Sequence, residues 1–147
     1  MVRFALAVLF AGWSGLGSLG CLDRTGAECR SDSECDDGDL CARNNVCVVA
    51  SQVRAVEVSW TVNGQPASRT ACAASPDLAS LEVDFEAPDP DVNPHLGFSP
   101  VPCEEGQFHV DKLPEWFESV RVGNRPLGWQ FTRIDAQTGL AAVDLVF

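Results

Sequence analysis

Four cysteines at equal intervals constrain this chain more than any other feature. Cys29, Cys35, Cys41 and Cys47 follow a C-x5-C-x5-C-x5-C spacing, and the residues between them are mostly Asp, Ser, Gly and Asn. A segment so short and so poor in large apolar side chains cannot bury enough surface to fold alone, so cross-links must substitute for a core. Four cysteines allow three pairings. The interleaved set, Cys29–Cys41 with Cys35–Cys47, ties two turns together and is the favoured one, although spacing alone does not select it. Zinc is the rival reading, because four cysteines could hold the metal. Zinc knuckles place ligand pairs about two to four residues apart, whereas every gap here is five. No metal and no cofactor are expected.

The other three cysteines are Cys21, Cys72 and Cys103, which makes seven in all. An odd number in an exported chain requires an explanation. Residues 1–20 read as an export signal: Arg3 supplies the positive charge, Phe4 to Gly12 is almost purely apolar, and Ser14 to Gly20 are mostly small or turn-prone. A membrane-spanning helix needs about 20 consecutive apolar residues, and this run is shorter, decaying into Gly15, Gly17, Ser18 and Gly20. Assigning Cys21 a role of its own leaves six cysteines, an even set able to close three disulfides in an oxidising compartment.

Ser18-Leu19-Gly20-Cys21 resembles the lipobox of bacterial lipoproteins, where a small residue precedes a cysteine that is acylated and becomes the new N-terminus. Gly20 matches. Ser18 stands where the family prefers an aliphatic residue, and Leu19 where a smaller one is usual. The resemblance implies cleavage before Cys21, acyl chains (palmitate among them) on that cysteine, a tether over residues 21–28, and residence in the cell envelope, with the outer membrane favoured over the inner. Several acyl chains anchor stably because each buried methylene contributes about 0.8 kcal/mol and one chain alone is marginal. The formal net charge is −11, and losing Arg3 with the signal makes it one unit more negative. That sign disfavours nucleic acid and anionic lipid surfaces as partners, both of which recruit basic patches.

Residues 29–48 resemble the small cysteine-rich repeats of the Dickkopf N-terminal type and similar modules of myxobacterial lipoproteins. Cys29, Asp32, Cys35, Gly38, Cys41, Cys47 and Val48 carry the match. It implies a disulfide knot and names no partner.

From Val53 onward the texture changes to alternation. Val56, Val58, Trp60 and Val62 share one face, as do Leu81, Val83 and Phe85, then Phe108 and Val110, then Val120 and Val122. Trp129 and Phe131 flank Gln130, and Ala141, Val143, Leu145 and Phe147 form a last strand. Period-two alternation marks half-buried strands, and Asn63-Gly64 is a strong hairpin signal. No segment shows a helical stripe. The expectation is an all-β fold: an antiparallel β-sandwich of six or seven strands over residues 53–147, preceded by the small disulfide-rich knot. Pro88 to Pro102 holds five prolines and reads as a loop rather than a strand. Cys72 and Cys103 flank that region, and a bridge between them closes a ring of about 30 residues, stabilising by roughly 3–4 kcal/mol. The stretch from Trp60 onward is similar to a domain recurring in myxobacterial lipoproteins, through Trp60, Val62, Gly64, Cys72, Cys103, Phe108, Leu113 and Pro114. That pattern implies kinship with transthyretin-like or carboxypeptidase-regulatory-like sandwiches. Glu115-Trp116-Phe117 departs from it, since Gly and Tyr commonly follow the Leu-Pro there.

A nucleophile needs a base within hydrogen-bond reach, and only His95 and His109 could serve, neither near a G-x-S-x-G. The chain is therefore expected not to be an enzyme. Two acidic clusters, one from Asp32 to Asp39 and one formed by Asp84, Glu86, Asp89 and Asp91, could attract calcium, although acid runs are usually solvated. Trp60 and Trp129 are in phase with aliphatic neighbours and are expected in the core. Trp116 and Phe117 are adjacent, so a strand there would leave one exposed as a contact patch. The leading reading is a non-catalytic, membrane-anchored envelope lipoprotein whose sandwich contacts another envelope protein or a surface polymer. The alternative is a carbohydrate-binding accessory module, calcium-assisted in one version, which needs exposed aromatics.

Overall fold

The computed structural model describes residues 26, 28–88 and 96–147. The signal segment, Cys21, His95, Asp89 and Asp91 lie outside the described residues.

The chain is all-β. In the knot, β1 (Asp39–Cys41) and β2 (Cys47–Val49) pair antiparallel, with Cys41 directly opposite Cys47. Those two cysteines do not bond to each other. Cys41 reaches Cys29, Cys47 reaches Cys35, and Cα separations of 5.8 and 5.6 Å suit disulfides. The sulfurs of Cys29, Cys35 and Cys47 lie within 4.8 Å of one another. The stacked bridges replace the core that this segment lacks.

The body starts with β3 (Val53–Val62), whose alternation is the one seen in the sequence: Val56, Val58, Trp60 and Val62 are all buried. Asn63 and Gly64 both take positive φ, 49° and 73°, as a two-residue turn of the hairpin type demands. The turn returns the chain into β4 (Gln65–Pro66). Ser68 then caps α1 (Arg69–Cys72), its hydroxyl accepting from the Ala71 N–H at 3.1 Å. One turn is too short to display a helical stripe. Next come β5 (Leu81–Glu86), β6 (Leu96–Val101), β7 (Gln107–Pro114), β8 (Ser119–Asn124), β9 (Gly128–Arg133) and β10 (Leu140–Leu145).

Two sheets face each other. In one, β3 is central, with β10 along one side and β7 then β4 along the other. The second runs β6-β5-β8-β9, antiparallel throughout. Val83, Phe85, Val120 and Val122 of the second sheet and the inward face of β3 belong to one buried core. Burying each such side chain contributes roughly 1.5–3 kcal/mol. Phe98 on β6 bridges the layers, 6.1 Å from Phe85 and 4.9 Å from Phe108 of β7 by ring centroids.

Three details differ from the sequence reading. The body has eight strands rather than six or seven, because β4 is only two residues long and β6 lies within the proline-rich region expected to be a loop. As an edge strand paired only to β5, β6 tolerates Pro100, which falls where its register with β5 shifts between Leu81 and Val83. The pairing of β10 with β3 is parallel. The chain leaves the second sheet after β9, turns at Asp135, whose carboxylate accepts from Gln137 N–H and Thr138 N–H, and re-enters the first sheet running alongside β3. Finally, β10 ends at Leu145, so Phe147 is exposed rather than part of the last strand.

Two polar anchors fix the frame. The Cys72–Cys103 disulfide ties α1 to the end of β6, and the Cys103 carbonyl accepts from the Trp60 indole N–H at 2.8 Å. Asn124, almost fully buried, donates to the Asp77 and Ser80 carbonyls and accepts from the Leu127 N–H. No helix among the described residues is long and apolar enough to cross a membrane.

Candidate contact surfaces

The knot docks on the body through β7. The Arg43 N–H donates to the Lys112 carbonyl at 3.0 Å, a group on the side of β7 that no strand covers. Around that bond, Arg43 pairs with Asp111 at 2.7 Å and Lys112 grips both oxygens of Asp32 at 2.8 and 2.7 Å. Hydrogen bonding to Lys112, and then to the Cys41 N–H, holds the Asp32 carboxyl below its usual value, and the Arg43 contact does the same for Asp111. Both pairs are solvent-exposed, so they position the knot more than they stabilise it.

The acidic clusters already have internal partners. Besides Asp32, Glu34 accepts from the Arg30 N–H at 2.7 Å. In the second cluster, Asp84 and Glu86 both engage Arg121, which donates through Nε and Nη2 to Asp84 at 3.0 and 2.9 Å and through Nη1 to Glu86 at 3.2 Å. His109 sits on the outer face of β7 opposite Glu57, both exposed.

The aromatic residues fall out differently from the sequence reading. Phe117 is 1% exposed and part of the core, which removes it as a contact residue. Trp116 packs half-buried beside it, ring centroids 6.3 Å apart, with its Nε1 buried. The reason is local: residues 115–118 form the turn between β7 and β8, not a strand, so adjacent side chains need not take opposite faces. Trp60 is in the core as expected, but Trp129 is not. Register explains this, since Val120 and Val122 of β8 point inward and their partners on β9 are Thr132 and Gln130. Trp129, Phe131 and Arg133 therefore face outward. The Arg121 guanidinium lies 4.4 Å over the Trp129 ring, a cation–π stack that two carboxylates hold in place. Phe131 stands directly across from Arg121 and is 60% exposed, the most of any large apolar side chain described. The pattern of β9 alone points the other way, because its outward residues Trp129 and Phe131 are more apolar than the inward Gln130 and Thr132.

Arg133 borders an open groove of about 430 Å³ shared with Arg54, Glu115, Glu118, Ile134 and Ala136. Arg54 Nη2 donates to the Phe117 carbonyl at 2.8 Å, while its Nε is buried with no partner.

Comparison of the chain with protein-family models, curated proteins and solved structures returns no match.

Proposed function

We propose that this chain is a non-catalytic lipoprotein of the cell envelope, acylated on Cys21, whose sandwich serves as a contact module for an envelope protein or a surface polymer. The observation that carries the reading is cysteine pairing. Six of the seven cysteines close three disulfides among themselves, and the one left over is the cysteine of the Ser18-Leu19-Gly20-Cys21 motif. Three bridges suit an oxidising compartment, and a lone cysteine after a small residue and an apolar run suits lipid attachment. Sandwich loops and faces commonly bear contacts on a rigid scaffold.

The test is metabolic labelling in a bacterial host with radioactive palmitate, followed by membrane fractionation. The wild-type chain is expected to carry label and to sediment with envelope membranes, and Cys21→Ser to lose both. An unlabelled wild type, or a labelled Cys21→Ser, overturns the anchoring. Surface cross-linking in the same host tests the contact role, with capture of an envelope component as the expected result.

A further inference from the structure

The knot and the sandwich are held together by different means. The buried apolar side chains of the knot are Cys29, Ala42, Cys47 and Val48, and none of them belongs to the sandwich core. So small a set cannot order a segment of this length, and Cys29–Cys41 and Cys35–Cys47 carry the task. Cys72 and Cys103 instead lie inside the sandwich core.

Access to the bridges divides the same way. Each knot bridge has one half-buried cysteine, Cys35 in one and Cys41 in the other, whereas both ends of Cys72–Cys103 are buried. Exchange requires a thiolate to reach a disulfide sulfur, so the knot bridges are the ones open to attack from solvent. Proximity then links them. The sulfurs of Cys29, Cys35 and Cys47 lie within 4.8 Å of one another. A thiolate that attacks Cys35 Sγ expels Cys47, and the freed Cys47 thiolate has Cys29 Sγ of the second bridge within that distance. Its attack there closes Cys47–Cys29 and expels Cys41. A cut in one bridge therefore passes to the other.

The docking contact sits on the same residues. The Asp32 carboxylate accepts from the Cys41 N–H at 3.0 Å while it holds Lys112 Nζ, and the Arg43 N–H, just past β1, donates to the Lys112 carbonyl. On the N-terminal side, the Gly26 N–H donates to the Cys47 carbonyl at 2.8 Å and the Cys29 N–H to the Asn45 carbonyl at 2.9 Å. The entering chain is thus tied to the knot, and the knot to β7.

We propose that the knot is a clasp opened by thiols: a dithiol reduces both of its bridges while Cys72–Cys103 stays closed, and the opened segment leaves β7. The electrons balance bridge by bridge. One thiolate of the dithiol attacks a knot sulfur and expels its partner as a thiolate. The second thiol then closes on the first, so the reductant becomes a cyclic disulfide and loses two electrons. Its two protons pass to the two cysteine sulfurs. Freed of its bridges, the stretch 29–52 can extend to about 80 Å, which turns a pinned attachment into a leash. The inference goes beyond the lipoprotein reading and does not depend on lipid at Cys21.

The test titrates the full chain, in neutral detergent, with dithiothreitol. Iodoacetamide traps the freed thiols for mass mapping, limited trypsin digestion reads cleavage after Arg43, and Trp fluorescence reads the sandwich. Cys29, Cys35, Cys41 and Cys47 should become labelled together, at a dithiothreitol concentration about tenfold or more below that needed for Cys72 and Cys103. Cleavage after Arg43 should appear in step with that labelling, while the fluorescence stays native. Reoxidation with glutathione disulfide should restore resistance to trypsin. Labelling of Cys72 and Cys103 at the same concentration or a lower one overturns the proposal. So does a dominant species with one knot bridge open and the other closed, since the relay between the sulfurs forbids it. Resistance at Arg43 with all four cysteines labelled would mean that the knot stays docked without its bridges, and failure to recover on reoxidation would rule out a reversible clasp. Palmitate labelling reads the anchoring separately, so the two readings fail independently.

Discussion

Removing the Cys72–Cys103 bridge is expected to be the most costly change of bonding in the sandwich, and its size follows from the loop it closes. The two cysteines are 31 residues apart. Chain-entropy treatment of a ring of that length gives about 12 cal/mol/K, or about 3.7 kcal/mol at 25 °C. Both side chains are buried, so cutting them back to alanine adds the loss of packed sulfur, on the order of 1 kcal/mol. Cys72→Ala/Cys103→Ala should thus lose about 4–5 kcal/mol. For a body of this size that lowers the melting temperature by roughly 15–30 °C. Urea unfolding followed by tryptophan fluorescence is a suitable assay, because the Trp60 indole N–H bonds the Cys103 carbonyl inside the core. The entropic origin makes a second, sharper statement. An unfolded chain freed of the ring exposes more surface, so the dependence of stability on urea should steepen. A loss under about 1 kcal/mol with an unchanged slope would refute the reasoning, because it would mean that residues 72–103 are already restrained in the unfolded chain without the bridge.

Asn124→Ala removes one side chain that serves three backbone groups and leaves them unpaired in a buried place, so a loss of about 2–4 kcal/mol is expected in the same urea assay. Gly123→Ala should disrupt the β8–β9 hairpin outright. At φ +152° a Cβ there would sit 2.1 Å from the Gly128 carbonyl oxygen, and circular dichroism should show lost strand signal or a sharply lowered melting temperature. Acid should weaken the fold in a defined window. The carboxyls of Asp32, Asp111, Asp135 and Asp144 are all held below their ordinary value, chiefly by Lys112, by Arg43, by the Thr138 N–H and by the Thr61 hydroxyl respectively. A depressed folded-state pKa gives stability that is present above the unfolded value of about 3.9 and lost as pH falls through the folded one. The contribution of these groups to the urea midpoint should be flat above about pH 5 and decline below about pH 4; Asp135→Asn/Asp144→Asn should shrink that decline. Lys112→Met removes the Nζ contact with Asp32 that pins the knot, so hydrogen exchange at the Arg43 amide, bonded to the retained Lys112 carbonyl, should speed up while the amides of β5 and β8 stay unchanged.

The strands that the sequence makes legible are those with one dry face. β3, β5 and β10 alternate because one side of each meets the core and the other meets water, and Asn63-Gly64 announces its turn because both residues adopt positive φ. β9 misleads for a physical reason. Its inward positions are Gln130 and Thr132, at the margin of the core, and its outward positions are the more apolar Trp129 and Phe131, so hydropathy assigns the two faces backwards. The outward aromatics are tolerated because Arg121 covers one of them. β6 is hidden because edge strands tolerate proline, and the parallel placement of β10 is hidden because pairing direction is set by where the Asp135–Gly139 turn delivers the chain. Gly139 at that turn has positive φ, and a Cβ there would meet the Ala55 carbonyl at 2.3 Å, so the crossover depends on tertiary contact that a linear pattern cannot carry.

The place of the knot bears on how the sandwich can be presented. The knot covers the open side of β7 through the Arg43–Lys112 backbone bond and two flanking ion pairs. β7 and β6 lie on the same flank of the sandwich, where Phe98 meets Phe108. β9 and β10 meet along the opposite flank. A tether entering the knot from the N-terminal side therefore joins the molecule on the flank away from the β8–β9 hairpin. With the acyl anchor proposed at Cys21, the tether attaches on the β7 side, and β9 is the strand of the second sheet farthest from that attachment. A knot that served only as a flexible spacer would leave the attachment point free to wander; one pinned to β7 fixes it on the body. Releasing the ion-pair pins with Arg43→Ala/Lys112→Met should leave the urea midpoint of the sandwich nearly unchanged, because both pairs are on the surface. It should instead speed limited proteolysis in the segment that joins β2 to β3, where the knot would swing free of β7. An unchanged cleavage rate would mean that the backbone bond from the Arg43 N–H to the Lys112 carbonyl pins the knot without help from the ion pairs.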